Sequence, residues 1–429
     1  MMRRLIGVNV VFVASFIYFG YLTSPQMSWA NAGTDVGDYL MSAKYLMVSH
    51  GPGHPTYTIV SRLWLEVFGG MGDVYALSLL SAMSAALASA LLYWLSKSIV
   101  PSLIYMASMI VVGTATIVDM RAMTILSGLL AYGLHRSGRH TLKYAPLAGI
   151  HIFGVFYGLV FVAWDILKEK RPAWRAVIPF GLSLTPYLLL YAGNVPSPWL
   201  QDRSLDSWRA YFAYSSGMAN GLPIWPPDIA VTRLTDFGAL MLASLGAALV
   251  PLAYGVRDLL RRGEWLLPVL IALPILYYTT SLTSQPYVYI AFGTPFMALV
   301  AYEGMQSVPW RRAAVSAAVL GATMLIAMNA ATMSIGRALD PGLTAQRYYE
   351  ALDTLPDGAA VDTEYRGWEL IMLTYYTVSH DGRVDNLWEP GRLSTRQDRT
   401  ERALREGRLY RTRTVDRVTL ATVFEKVQP

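Results

Sequence analysis

Cysteine is absent from the 429 residues. That excludes a disulfide framework, a thiolate metal centre and a thiol nucleophile, while leaving the compartment open. Charge is scarce too: Asp, Glu, Lys and Arg supply 15% of the chain, against about 25% in an ordinary soluble domain. Internal repeats and low-complexity stretches are also missing, which sets aside repeat arrays.

What the chain has in excess is apolar residues, at 54%. They fall into runs of roughly 15–24 residues, about the length a helix needs to cross a hydrocarbon core. The runs are Leu5–Leu22, Val74–Leu95, Ile99–Val118, Met123–Leu134, Tyr144–Leu167, Val177–Ala192, Phe237–Gly255, Leu266–Leu282, Tyr287–Tyr302 and Ala313–Met333. The pattern predicts an all-α polytopic membrane protein. The balance of 35 Lys and Arg against 29 Asp and Glu gives +6. This does not point to nucleic acid, because the basic residues sit at the ends of the apolar runs, where membrane topology places them. The first run follows Arg3 and Arg4, and Ala30-Asn31-Ala32 resembles a signal cleavage site. The run is long for a signal core, so an uncleaved first span is expected.

Charge placement also shapes the middle of the chain. If Tyr144–Leu167 crossed once, Arg136, Arg139 and Lys143 would lie on the opposite side from Lys168, Lys170, Arg171 and Arg175. If the run instead enters, turns near Gly149-Ile150-His151 and returns, those clusters share the cytoplasmic side with Arg257, Arg261, Arg262, Arg311 and Arg312. The positive-inside rule favours the re-entrant hairpin, and makes about 10–11 passes in all. Irregular backbone at membrane depth then requires surrounding protein or a water-filled cavity. The expected division is a transmembrane domain over 1–333, with external loops 23–73 and 193–236, and a small external α/β domain over 334–429. In that tail the pattern predicts a helix over Arg347–Leu355, a turn at Pro356-Asp357-Gly358, and strands over Ala359–Asp362 and Val415–Phe424. Trp368–Tyr376 reads equally as helix or strand.

The first external loop carries the densest chemistry: Asp35-Val36-Gly37-Asp38-Tyr39, a short amphipathic helix, then His50-Gly51-Pro52-Gly53-His54-Pro55 and a second helix over Thr56–Val67. Asp35 and Asp38 stand three apart, so one helical turn puts both carboxylates on one face. Mutual repulsion would raise one pKa and suit a general base. Equally, Asp35 can cap the following helix with Asp38 in its favourable first turn. His50 and His54 have i,i+4 spacing, but Gly-Pro-Gly between them breaks the helix on which that spacing would make a metal site. A rigid loop bearing two imidazoles is the expectation, with His54 as a possible helix cap and Pro55 in the first turn.

This loop resembles the signature of a protein O-mannosyltransferase-like family in the GT-C superfamily of membrane glycosyltransferases. The family pattern reads Asp-Ser-Gly-Glu-Phe and then His-Pro-Pro-Gly-Tyr-Pro-Leu-Tyr. Asp35, Gly37, His50, Pro52, Gly53, Pro55, Tyr57 and Arg62 match it, Asp38 and Tyr39 replace conservatively, and Gly51 and His54 depart. Weaker echoes are Asp119-Met120-Arg121 at an expected external helix end, His151 near a family histidine, Gly181–Tyr187 ahead of Trp199, and Leu355–Ala359 with Tyr375–Asp385 in the tail.

The resemblance implies a GT-C fold and transfer of a sugar, with mannose the family's choice, from a polyprenyl-phosphate carrier to an acceptor hydroxyl at the outer face of the cell membrane. It implies Asp35 as the base, with Asp38 second. Such an enzyme needs a carboxylate near the attacking hydroxyl and cationic donors around the departing phosphate. Arg62, Arg121, His50, His54 and His151 are the candidates for the phosphate, and Trp199, Trp208 and Trp225 for stacking. Relatives using monophosphate donors usually need no metal cofactor, and the residues here leave metal dependence open. Two other readings compete: a multi-pass transporter, which would need charged or broken-helix sites at the midplane, and an inactive scaffold of the same fold.

Overall fold

The apolar runs set the architecture. The computed structural model describes residues 2–24, 36–46, 54–147, 149–187, 227–280, 286–339, 343–363, 373, 376, 383–387, 396–416 and 421–428. Its helices are α1 (Met2–Leu22), α2 (Val36–Tyr45), α3 (Pro55–Phe68), α4 (Asp73–Ser96), α5 (Val100–Ala107), α6 (Met109–Ala115), α7 (Arg121–Arg136), α8 (Ile152–Leu167) and α9 (Ala173–Ser183). They continue as α10 (Pro227–Leu245), α11 (Leu249–Arg261), α12 (Leu266–Thr280), α13 (Thr294–Ser307), α14 (Arg311–Leu339) and α15 (Leu343–Asp353). By length and composition, Arg4–Leu22, Asp73–Ser96, Thr235–Arg261 and Arg311–Ile335 can each cross a membrane; Phe153–Leu167 and Leu266–Tyr277 are apolar but shorter.

Three expectations need correction. The run Ile99–Val118 is not one helix: it breaks at Ser108, whose backbone is extended and whose hydroxyl caps the Val111 N–H of α6. A helix broken among apolar neighbours exposes a carbonyl that must find a donor. Asn329 of α14 supplies it, its Nδ2 donating to the Ala107 carbonyl at 2.9 Å. The run Tyr287–Tyr302 begins as a 3₁₀ helix over Pro286–Gly293 and becomes α-helical only at Thr294, with Pro295 in the first turn. The third difference lies in the strands of the tail.

Small residues let the remaining helices approach. A methyl group added at Gly255 of α11 would overlap the Val300 carbonyl of α13, and one at Gly304 of α13 would overlap the Pro251 carbonyl of α11. Membrane helices pack through such positions because backbone contact replaces a hydrophobic driving force that lipid does not provide.

The expected hairpin is present. After α7 a 3₁₀ helix runs over Leu142–Leu147, Gly149 turns with φ +65°, and α8 returns. Lys143 at the start of the excursion and Asp165 near its end are bound at 2.5 Å, both buried. Arg136, Lys143, Lys168 and Arg171 therefore share one end of the bundle.

The opposite end carries α2, α3 and the C-terminal domain. That domain contains α15, β1 (Ala360–Asp362), β2 (Asp385–Asn386), α16 (Arg396–Arg405), β3 (Leu409–Asp416) and β4 (Ala421–Lys426), with sheet order β2-β1-β3-β4. β1 pairs in parallel with β2 and β3, and β3 pairs antiparallel with β4. The single strand expected over Val415–Phe424 thus spans the end of one strand and the start of the next. Its apolar residues, Val415, Val418, Leu420 and Val423, are spaced 3, 2 and 3 apart rather than by the strand period of two. Gly358, with φ +79°, forms the expected turn, and its N–H donates to the Arg383 carbonyl at 2.8 Å. One hydrophobic cluster joins Val36 and Tyr39 of α2, Tyr57 of α3 and Ile150 of the hairpin tip to Tyr348 and Leu352 of α15 and Val361 of β1. The small domain is therefore packed onto the first-loop helices, and α14 leads into it by continuing past Met333 to Leu339.

Candidate active site

The site forms where α3, the hairpin tip and the start of α7 converge. Pro55 occupies the first turn of α3, where its missing N–H costs nothing. His54 stands at the cap position, but its side chain does not cap the helix as expected. The ring turns instead toward the bundle, 5.5 Å between centroids from both Tyr39 of α2 and His151 of the hairpin. Tyr57, one turn on, packs edge-on against Tyr39 at 5.4 Å.

The hairpin tip is bound to this loop through its backbone. The Thr56 N–H donates to the Gly149 carbonyl at 2.9 Å. A methyl at Gly149 would stand 2.6 Å from Thr56 Oγ1, 2.9 Å from Pro186 Cβ and 3.1 Å from Pro55 Cγ. His151 then caps α8, its Nδ1 accepting from the Phe153 N–H at 3.1 Å. A neutral imidazole held that way carries its proton on Nε2. Its ring lies among Phe153, Tyr289 and Phe292.

Arg121 opens α7 and is buried beside Asp119. Asp119 Oδ2 pairs with Arg121 Nη1 at 2.6 Å, and Oδ1 accepts from the Arg121 N–H at 2.7 Å. Ser81 of α4 fixes Asp119 in turn, its hydroxyl donating to the Asp119 carbonyl at 2.9 Å. The Arg121 guanidinium carbon lies 5.7 Å from the Tyr289 ring centroid, and Tyr289 also packs on His151. Burial pushes the Tyr57 phenol well above its ordinary range and Asp119 adds to the rise, so Tyr57 is a neutral hydrogen-bond donor.

Tyr57, His54, Asp119, Arg121 and His151 are therefore brought together from three separate parts of the chain. Arg62 is placed differently. It is half-exposed, pairs with Glu66 one turn along α3, and donates to the Lys44 carbonyl near the end of α2, tying the two loop helices together. Asp38 is the third residue of α2. Asp35, His50 and Trp199, with Trp208 and Trp225, lie outside the described residues. Tyr39 reads in the sequence only as the last residue of the first-loop motif, and Tyr289 only as part of an apolar run.

Residues 35–140 match the family model of the protein O-mannosyl-transferase TMEM260 N-terminal domain. The match starts at Asp35 and takes in both loop helices and all of α4–α7. The whole chain is similar in structure to ArnT from Cupriavidus metallidurans, solved bound to undecaprenyl phosphate. The TM-score is 0.62 at 12% identity, covering 98% of each chain. The fold is of GT-C type. The first-loop resemblance to the protein O-mannosyltransferase-like family is thus borne out on the segment that carries its motif, and the fold it implied extends over the rest.

Proposed function

We propose that this protein is a membrane glycosyltransferase that moves a sugar, with mannose the first candidate, from a polyprenyl-phosphate carrier to an acceptor hydroxyl at the outer face of the membrane. The observation that carries this reading is the match over residues 35–140 to a protein O-mannosyl-transferase domain, combined with the gathering of that segment's His54, Tyr57, Asp119 and Arg121 against the hairpin histidine. The whole-chain likeness to a protein solved with undecaprenyl phosphate supports a lipid-phosphate donor.

In the proposed reaction the acceptor oxygen attacks the anomeric carbon and the bond from that carbon to the phosphate oxygen breaks. The polyprenyl phosphate leaves with the bonding pair, and the hydroxyl proton passes to a carboxylate. Asp35 is assigned as that base and Asp38 as the second carboxylate, on the first-loop motif. Arg121 is assigned ahead of Arg62 to the phosphate, because it is buried within the cluster and fixed in orientation by Asp119. Preorganised donors in a dry site stabilise developing charge most effectively. Tyr57 and the His151 Nε2–H are neutral donors beside it, and Trp199 and His50 complete the assignment on sequence grounds.

The decisive experiment incubates purified, detergent-solubilised protein with a cell extract as the source of acceptor hydroxyls and with radiolabelled polyprenyl-phosphate mannose, or its glucose and arabinose counterparts. Release of polyprenyl phosphate that depends on Asp35 is the expected result. Absence of turnover with every donor, under conditions where the protein remains folded, would leave the inactive-scaffold reading.

A further inference from the structure

The end of the bundle opposite the candidate active site holds a second group of chemically capable side chains. His135 closes α7, His140 follows in the connecting turn, and Asp165 and Glu169 lie one turn apart where α8 ends. The hairpin brings the two pairs together. One ligand atom from each of the four lies within 4.8 Å of the others. His140 Nδ1 is 3.5 Å from Glu169 Oε2, and His135 Nδ1 is 3.8 Å from Glu169 Oε1. Ligand atoms around a tetrahedral Zn²⁺ with bonds of about 2.0–2.1 Å stand about 3.3–3.4 Å apart. The two histidine–Glu169 distances are thus within about 0.5 Å of the tetrahedral spacing.

The surroundings also suit a metal. Glu169 is oriented by two outer donors, Trp164 Nε1 at 3.2 Å and Arg171 Nε at 2.7 Å. Asp165 is held from its far side by the Tyr144 hydroxyl at 3.0 Å. Outer partners of this kind fix ligand orientation in metal centres. Burial grades from Asp165, with 2% of its side chain exposed, to His140 at 28%, so an ion can enter past His140. Lys143 already places a cation against Asp165 Oδ1 and lies 3.4 Å from His135 Nδ1. A divalent ion must compete with that ammonium for Asp165, which makes occupancy depend on metal concentration.

We propose that His135, His140, Asp165 and Glu169 form a site for a divalent transition metal, zinc by its nitrogen and carboxylate donors, at the base of the re-entrant hairpin. Because the tip of the same hairpin carries Gly149 and His151, the ion clamps at its base the element that builds the active-site floor.

The test uses untagged full-length protein in detergent, stripped with chelator and dialysed against Zn²⁺, with bound metal measured by elemental analysis. The expected result is one Zn²⁺ per chain, a higher thermal midpoint on binding, and Co²⁺ visible bands of tetrahedral intensity. His140→Ala and Glu169→Gln are partly exposed changes that leave the Lys143–Asp165 pair intact. Each should weaken binding by about tenfold or more, while His54→Ala should not. The proposal is overturned if the stripped protein takes up no Zn²⁺. It is equally overturned if uptake survives both variants, or disappears in His54→Ala, which would put the ion at the other end.

Discussion

Thr56 and Gly149 meet through their backbones, the Thr56 N–H donating to the Gly149 carbonyl at 2.9 Å. This joins the start of the first-loop helix to the tip of a hairpin more than ninety positions later in the sequence. Gly149 has φ +65°, and a methyl there would press on Thr56, Pro55 and Pro186. Gly149→Ala should cost about 1–3 kcal/mol through backbone strain and crowding, and transfer should fall with it. Gly138 has φ +75° in a turn at the other end, with nothing closer to an added methyl than His140 Nε2 at 3.9 Å. Gly138→Ala should therefore lower the thermal midpoint modestly and leave transfer intact. Equal activity in the two variants would detach the hairpin tip from the site.

The base assignment is tested by Asp35→Asn, with Asp38→Asn as its partner. Loss of a general base lowers rate by about two to four orders of magnitude, whereas Asn caps a helix about as well as Asp. Asp35→Asn should thus keep its thermal midpoint and lose transfer. Full activity in Asp35→Asn with an inactive Asp38→Asn would move the base to Asp38, and activity in both would reduce the pair to a helix start.

Arg121 and Arg62 should part company in two measurements. Removing Arg121 leaves the buried Asp119 carboxylate without its ion pair, a loss of about 3–5 kcal/mol. Arg121→Lys keeps the charge but not the planar fork, so it should fold while donor KM rises and turnover drops. Arg62→Gln breaks a half-exposed pair with Glu66, worth about 0–1 kcal/mol, and should change transfer less. A larger kinetic defect in Arg62→Gln than in Arg121→Lys would return the phosphate to Arg62.

How much of this was legible in the sequence varies with the range of the interactions involved. The hairpin was legible because the basic clusters around Arg136 and Lys168 demand one side, and charge near membrane ends is a local signal. The first-loop motif was legible because Gly, Pro and His at fixed spacing leave few other uses. The break at Ser108 was not, since the Ala107 carbonyl it frees is satisfied by Asn329, more than two hundred positions away. The same holds for Asp165 and Glu169, which read as the ordinary end of an apolar helix until the hairpin sets them beside His135 and His140. His54 shows a subtler limit: its place before Pro55 suggested a cap, yet the ring finds Tyr39 and His151, which no local pattern reports.

The final prediction concerns sidedness, on which the proposed reaction depends. A chain with no native cysteine allows single cysteines to be placed at will. Lys170 and Arg261 are exposed and belong to the end that carries the basic clusters, while Thr354 is exposed in the C-terminal domain packed over the candidate active site. Basic residues are held on the cytoplasmic side by the positive-inside rule. In intact cells a membrane-impermeant maleimide should therefore label Thr354→Cys and spare Lys170→Cys and Arg261→Cys until the membrane is opened. Labelling of Lys170→Cys from outside together with protection of Thr354→Cys would invert the protein and place sugar transfer on the cytoplasmic face. Labelling of Lys170→Cys and Arg261→Cys on different sides is incompatible with a hairpin whose base closes through Lys143 and Asp165. The pattern across all three positions thus tests the direction of the active site separately from the existence of the hairpin.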